Sequence, residues 1–276
     1  MAVNQKFIDI DNVFSRKNPR LYRIIPGFII NYIKKITHQD ELNDAINKNQ
    51  SKYGVDFALA MIEEFQAKIV VSGDTERLKS GRYIIAGNHP LGGLDGIALI
   101  CVAGEAGKDI RFIVNDLLLN IDNLKDIFIP VNKHGSNPKA AIKMMDDAYA
   151  SDQLILTFPA GLCSRKRKNM ICDLEWKKSF ITKARQHKRD IIPVFIGGNN
   201  SNFFYRLANL RKRLGIKANI EMFFLVDEMY KQKGKTINIC FGETISADRF
   251  TREKSDTQWA EYVKHIVYDM GKQKID

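Results

Sequence analysis

Short apolar runs alternate with amphipathic stretches along most of the chain after residue 75. The runs are rich in β-branched residues and end at Gly, Pro or Asn, which predicts buried strands. The predicted strands are 83–86, 111–115, 127–131, 154–158, 190–196, 219–226 and 236–241. Helical spacing predicts helices at 97–102, 139–150, 174–187 (capped by Asp173), 201–214 and 257–272. This alternation predicts an α/β fold, with a mostly parallel sheet flanked by helices on both faces.

The first 75 residues have helical spacing of apolar positions and lack strong strand signals. They predict an N-terminal helical extension, residues 1–75, ahead of an α/β domain, residues 76–276. Within the extension, residues 55–65 have the apolar spacing of a core helix.

Segment 20–36 differs from the other predicted helices. It combines isoleucines and aromatic residues with basic residues at both ends, and Pro26-Gly27 interrupts it. This pattern is typical of a helix that lies in the interface of an anionic membrane. A helix packed on the α/β domain with a solvated basic edge explains it equally well. No run reaches the roughly 18–20 apolar residues of a spanning helix, and residues 4–11 are too polar for a signal peptide.

Composition narrows the class of protein. Hydrophobic residues make up 45% of the 276 residues, which is enough for a packed globular core. The formal net charge of +11 indicates an anionic partner, which is a phosphate-bearing substrate, an acidic lipid surface or a nucleic acid. The cysteines lack the spacing of a metal site or redox pair, which indicates reduced thiols in a cytoplasmic protein; they are Cys101, Cys163, Cys172 and Cys240.

The stretch 82–97 carries the strongest chemical signal. A predicted strand ends just before His89, a Gly92-Gly93 turn follows, and Asp95 precedes the next predicted helix. Ligand sites of open α/β sheets favour such a strand-to-helix connection. A carboxylate beside an imidazole holds it in one tautomer, so that the imidazole acts as a general base on a hydroxyl. The glycines let the backbone approach a substrate closely.

Three further loops at the carboxyl ends of predicted strands carry polar or charged residues. Because those ends share one edge of a parallel sheet, all four loops are expected to converge on one pocket. The loop 130–136 offers the positive charge of Lys133, and its His134 is expected to make only local hydrogen bonds. The last loop, 197–202, is rich in Gly and Asn.

The remaining loop, 158–168, is the predicted anion site. It joins a small-residue turn at Gly161, whose backbone N–H groups suit an anion, to Ser164 and Arg165. A guanidinium forms a planar fork that matches a phosphate or carboxylate. The rest of the basic run, 166–168, is expected to be solvated.

In these loops the chain resembles the glycerolipid acyltransferases of the lysophosphatidic-acid type. Counterparts of the family's four motifs occur in order. They are Asn-His…Asp at 88–95, a hydrophobic strand ending in a basic residue at 127–133, an imperfect match to Phe-Pro-Glu-Gly-Thr-Arg-Ser at 158–165 (Phe-Pro-Ala-Gly-Leu-Cys-Ser-Arg) and a Val-Pro-Val-like strand at 191–194. Five residues rather than the usual four separate His89 from Asp95, and the glutamate of the third motif is Ala160. These departures resemble the bacterial hemolysin-like branch, which is linked to ornithine or glycine lipids as well as to phosphatidic acid.

The resemblance implies transfer of an acyl group from acyl-carrier protein or acyl-CoA to the hydroxyl of a lyso-lipid. The acceptor is either 1-acylglycerol-3-phosphate or a lyso amino-acid lipid. His89 would be the general base and Asp95 its partner, with no metal and no bound cofactor. The residues expected to bind substrate are Asn88, Gly92, Gly93, Lys133, Gly161, Ser164 and Arg165. The resemblance also implies a peripheral or monotopic protein on anionic lipid at the cytoplasmic face of the inner membrane.

Two alternatives remain open on the sequence. The first alternative is a nucleic-acid-binding protein. The net charge and a basic helix at 202–213 that begins with aromatic residues favour it. No recognised nucleic-acid motif accompanies them, so no nucleic-acid partner is expected. A non-catalytic lipid-surface protein with the same fold would have lost its chemistry through Ala160 and the longer loop.

Overall fold

The computed structural model describes residues 6–115, 121–131, 139–168 and 170–272. Its strands are β1 (Lys68–Ser72), β2 (Tyr83–Gly87), β3 (Ile110–Asn115), β4 (Phe128–Val131), β5 (Leu154–Thr157), β6 (Arg165–Arg167), β7 (Met170–Cys172), β8 (Asp190–Ile196) and β9 (Thr236–Phe241). Seven of them form the central sheet in the order β1-β9-β8-β2-β5-β3-β4, and β6 and β7 form a separate hairpin. Strands β8, β2, β5, β3 and β4 are parallel, whereas β9 is antiparallel to β8 and parallel to β1.

Helices cover both faces of the sheet. Residues of α5 and α6 pack in one apolar cluster, and residues of α7, α8 and α11 pack in a second. The neighbours Ile84 and Ile85 of β2 belong to different clusters, because successive side chains of a strand point to opposite faces, and both are fully buried. The helices are α1 (Ile10–Lys17), α2 (Pro19–Ile24), α3 (Gly27–Ile36), α4 (Gln39–Lys48), α5 (Gly54–Glu64), α6 (Gly93–Gly104), α7 (Lys139–Ala150), α8 (Ser179–His187), α9 (Asn202–Arg213), α10 (Leu225–Tyr230) and α11 (Asp256–Lys272).

These elements confirm the predicted α/β class with its mostly parallel sheet. Residues 10–64 are helical apart from short connections, and strand β1, which the apolar pattern did not reveal, lies at the edge of the main sheet beside β9. The division into residues 1–75 and 76–276 stays a prediction. Within the described ranges, no helix is both long enough and apolar enough to cross a bilayer.

The predicted strand at 219–226 is wrong. That segment forms a 3-10 turn, Ile220–Phe224, and runs directly into α10. The reason is tertiary: the carboxylate of Glu221 is fully buried and lies between the guanidinium groups of Arg165 and Arg211, at 2.9 Å and 2.8 Å. A buried carboxylate requires such partners, and these outweigh the apolar pattern of the segment.

The predicted helix at 174–187 is correct only in its second half. Helix α8 begins at Ser179, and Asp173 does not cap it. The Asp173 carboxylate instead accepts hydrogen bonds from the Ser164 hydroxyl at 2.6 Å and the Trp176 indole at 2.9 Å. The side-chain contacts of Asp173 therefore keep residues 173–178 out of the helix.

One buried arginine joins α7 to the sheet. Arg189 is fully buried, and its guanidinium donates to the carbonyl oxygens of Tyr149 and Gln153, both at 2.7 Å, and of Ala148 at 3.1 Å. Burial lowers the pKa of Arg189 to about 10. Ala148 and Tyr149 lie in the last turn of α7, whose carbonyl groups lack partners within the helix. The arginine thus closes α7 and positions the start of β5.

We expect Arg189→Met to lower the free energy of unfolding by about 3 kcal/mol, because it leaves several buried carbonyl groups without a donor. Urea denaturation measures the loss. The matched control is Arg185→Met on α8, whose half-exposed guanidinium pairs with Asp256 at 3.0 Å and should contribute about 1 kcal/mol at most. Equal losses in the two variants would contradict this role for Arg189.

Candidate active site

Three of the four predicted loops meet at one edge of the sheet. Strand β2 lies between β5 and β8, so the loops after these strands are neighbours. The Asn88 amide donates to the Ile196 carbonyl at 2.9 Å and accepts from the Ile196 N–H at 2.6 Å. The Ser164 N–H donates to the His89 carbonyl at 2.7 Å. The loop with Lys133 and His134 lies outside the described residues.

His89 and Asp95 form a hydrogen-bonded pair across this edge. The Nδ1 atom of His89 lies 3.0 Å from Oδ2 of Asp95. The same oxygen accepts the N–H groups of Leu91 and Gly92, at 2.8 Å and 3.0 Å, and the Asp95 side chain is fully buried. The acid is therefore held from three sides, and the imidazole is its one side-chain partner among the described residues.

Five residues separate His89 from Asp95, and the turn at Gly92 accommodates the extra one. The Gly92 φ of 89° and ψ of −128° lie in a region that only glycine adopts readily. A Cβ atom at this position would lie 3.1 Å from the Leu225 side chain and 3.4 Å from Sγ of Cys163. Backbone conformation and close packing both require glycine here, and the resulting turn brings the acid back to the imidazole.

The surroundings of the pair are largely apolar. The His89 ring stacks on Phe158, with the ring centroids 4.4 Å apart, and 19% of the His89 side chain remains exposed. Burial raises the pKa of Asp95, against the opposing effect of the His89 hydrogen bond. Burial disfavours the charged imidazole, but Cys163 and Asp95 outweigh it, so the pKa of His89 is raised well above its usual value.

Cys163 is a candidate residue that the sequence did not reveal. Its thiol is buried, its Sγ lies 3.4 Å from where a Cβ on Gly92 would be, and it raises the pKa of His89. The sequence indicated no more than a reduced thiol, because no metal or redox spacing involves it. Its place in the third motif, two residues after Gly161, was the available signal, but the direction of its side chain depends on how two loops pack.

Asp173 is the second candidate that sequence reasoning missed. Besides Ser164 and Trp176, its carboxylate accepts the backbone N–H of His89 at 3.2 Å. One buried carboxylate therefore ties the loop after β2 to the loop after β5. It orients the peptide that carries the imidazole without touching the ring.

The remaining predicted substrate-binding groups make contacts within the protein. The Gly161 N–H donates to the Phe158 carbonyl at 2.9 Å, and the Ser164 hydroxyl is bound to Asp173. The Arg165 guanidinium is buried, paired with Glu221, and donates to the Cys163 carbonyl at 2.7 Å. Substrate contact by these groups stays a prediction.

The geometry supports proton transfer. Because Asp95 engages Nδ1 of His89, Nε2 is the ring nitrogen that remains to accept a proton from a hydroxyl. In the described part of the chain, no group of three or more His, Cys, Asp or Glu side chains is placed to hold a metal ion.

A family model and two sequence relatives connect this chain to acyltransferases. A family model described as "Acyltransferase" matches residues 12–276. A lyso-glycine lipid O-acyltransferase of Bacteroides thetaiotaomicron is 48% identical over 265 residues, covering 95% of this chain and 97% of the relative. A protein of the same name from Phocaeicola vulgatus is 44% identical over 264 residues, covering 95% of each chain. The crystal structure of the 1-acyl-sn-glycerophosphate (LPA) acyltransferase PlsC from Thermotoga maritima aligns with a TM-score of 0.49 and 16% identity, covering 97% of this chain and 94% of that chain.

We expect Asp95→Asn and Cys163→Ala each to lower the pKa of His89, because each removes a group that raises it. Asparagine keeps an acceptor oxygen for the Leu91 and Gly92 N–H groups, so the loop should persist. The measurement is an NMR titration of the His89 ring, which in the wild type should titrate above the ordinary value of about 6.5. Cys101→Ala, on α6, is the control for loss of a buried thiol. Titration at the wild-type midpoint in both test variants would contradict the assigned cause.

Proposed function

This chain belongs to the acyltransferase family, and from that premise we propose that it transfers a fatty acyl group from a thioester to the hydroxyl of a glycine-headed lyso-lipid. The observation that carries the proposal is the 3.0 Å contact between His89 and Asp95 at the carboxyl end of β2. Family membership and this contact favour catalysis over the two alternatives, a nucleic-acid-binding protein and a non-catalytic lipid-surface protein.

His89 is the proposed general base. Because the pKa of His89 is raised, the neutral imidazole that acts as the base forms as the pH rises through that pKa. In this neutral form Nε2 takes the proton of the acceptor hydroxyl as the oxygen attacks the thioester carbonyl, and Asp95 stabilises the imidazolium that forms. When the tetrahedral intermediate collapses, the carbon–sulfur bond breaks and the imidazolium returns the proton to the departing thiolate. The products are the ester and the free thiol of the donor. Such positioned general-base catalysis typically contributes about 10²–10⁴-fold.

The oxyanion of this intermediate needs hydrogen-bond donors. Of the predicted donors, the Gly92 N–H is bound to Asp95 and the Gly161 N–H to Phe158. Gly93 lies in the first turn of α6, where N–H groups have no partner within the helix and favour negative charge. We therefore assign the oxyanion to the amino end of α6, at Gly93.

The relatives' names and the charge around the loop 158–164 support a glycine head group. The pairing of Arg165 with Glu221 removes the guanidinium that the sequence offered to a phosphate, which carries about −1.5 to −2 charges. Lys177 remains beside this loop: its Nζ lies 3.4 Å from where a Cβ on Gly161 would be. We propose that Lys177 binds the carboxylate of the acceptor's head group.

The proposed acyl donor is acyl-carrier protein or acyl-CoA. Segment 20–36 folds as α2 and α3 and exposes Ile24, Phe28 and Tyr32 next to Arg23 and other basic residues. This arrangement supports peripheral attachment to anionic lipid, which we place at the cytoplasmic face of the inner membrane.

We expect His89→Ala to lower kcat at least about 10²-fold, because alanine cannot take the hydroxyl proton. Asp95→Asn should also lose activity. Product is measured by mass spectrometry with labelled acyl-carrier protein or acyl-CoA and a glycine-headed lyso-lipid. His265→Ala, at an exposed position on α11, is the matched control. Wild-type turnover in folded His89→Ala would refute the mechanism.

We expect Lys177→Met to raise KM for the glycine-headed acceptor with little change in kcat, because it removes a ground-state charge contact. Lys178→Met, the exposed neighbour, should match the wild type. The same assay should show that the wild type prefers the glycine-headed acceptor to 1-acylglycerol-3-phosphate. Preference for the phosphate acceptor, or equal KM values in the two lysine variants, would contradict the assigned head group.

A further inference from the structure

Helix α9 exposes an apolar stripe to solvent. Phe203, Leu210 and Leu214 are 49%, 52% and 64% exposed. Leu210 and Leu214 follow Phe203 by seven and eleven residues, so the three side chains lie on one face of the helix. The opposite face is buried through Phe204, Tyr205 and Ala208. The exposed stripe is therefore additional to the face with which α9 packs on the protein, and we call these three residues the α9 stripe.

Aromatic contacts join the α9 stripe to the N-terminal helices. The ring of Phe203 meets Phe224 edge-on at 5.0 Å, and Phe224 meets Tyr32 of α3 at 6.5 Å. The next ring, Phe223, stacks on Phe14 of α1 at 6.1 Å. Tyr32 and Phe223 are also exposed. The apolar surface of α3 thus continues without a break through the 3-10 turn onto α9.

Basic side chains border the stripe. Arg206 and Arg213, three and ten residues after Phe203, lie on the same flank of α9, are exposed, and form no ion pair with a described residue. The β6–β7 hairpin lies beside α9, because Lys166 donates to the Asn202 side chain at 3.2 Å. The tip of this hairpin carries exposed basic residues and a 69% exposed methionine, Met170.

We propose that the α9 stripe is a second membrane-contact surface, which lies on the same anionic leaflet as α3. Leucine and phenylalanine side chains enter the headgroup–acyl boundary, while arginines on the flank pair with lipid phosphates. An acidic carrier protein would need only the basic residues. The exposed apolar residues of the α9 stripe therefore favour a lipid leaflet as the partner. The loop before α9 packs on the catalytic loop, since a Cβ on Gly198 would lie 3.0 Å from Leu91. Contact through α9 therefore brings the catalytic loop close to the lipid surface.

The test is co-sedimentation of the full chain with vesicles of phosphatidylcholine containing phosphatidylglycerol, without substrate. Leu210→Ser/Leu214→Ser should lower the vesicle partition coefficient at least about tenfold, because two exposed side chains no longer enter the leaflet. Ile142→Ser/Met144→Ser removes similar exposed apolar surface from α7 and should bind as the wild type does. Arg206→Gln/Arg213→Gln should weaken binding to the anionic vesicles and reduce its salt dependence.

The outcomes separate this surface from the proposed catalysis. Wild-type vesicle binding by folded Leu210→Ser/Leu214→Ser would overturn the proposal. So would unchanged vesicle binding with a raised KM for acyl-carrier protein, which would assign the surface to the carrier. If the leucine variant fails to fold, as judged by circular dichroism, wild-type binding by the arginine variant overturns it instead. An inactive wild type that binds vesicles through the stripe would refute the catalytic proposal alone.

Discussion

A carboxylate without exposed surface is costly unless several donors surround it, and in Asp95 this protein directs three donors at one carboxylate oxygen, Oδ2. Two of its donors are backbone N–H groups at the start of α6, and the third is the His89 imidazole. The acid also lies in the first turn of α6, where the helix dipole favours negative charge. The same carboxylate thus ends a turn, begins a helix and orients a base. A shift of α6 relative to β2 would therefore change the turn, the start of the helix and the orientation of the imidazole together.

A second buried carboxylate gives the junction its lateral support. Asp173 binds the backbone of His89, the hydroxyl of Ser164 and the indole of Trp176, so one carboxylate joins the loops after β2 and β5. The Asn88 side chain likewise joins the loop after β2 to β8, because it binds both the N–H and the carbonyl of Ile196. The motif residues beside the base therefore position the backbone, and the imidazole keeps one nitrogen available for chemistry.

A third buried acid, Glu221, connects this site to the exposed apolar surface of α3 and α9. It pairs with Arg165 from the loop after β5 and with Arg211 from α9. The 3-10 turn that carries it also carries the rings that contact α1, α3 and α9, and the Leu225 that follows packs over Gly92. Charge neutralisation in the interior and the shape of the exposed surface are therefore set by the same short segment.

Local patterns in the sequence determined much of the fold and the central pair. Strand and helix periodicity predicted β2 to β5, β8, β9 and the helices around them, because apolar spacing is a property of neighbouring residues. His89 and Asp95 were also readable, since six positions and a glycine turn separate them. Other features depend on residues far apart in the chain. Strand β1 pairs with β9, more than 160 residues later. Cys163 comes close to the imidazole only when two loops pack together. Glu221 pairs with two distant arginines, and this pairing makes a strand-like segment helical. Burial decides each of these, because a polar group removed from water takes whichever partner the tertiary structure brings to it.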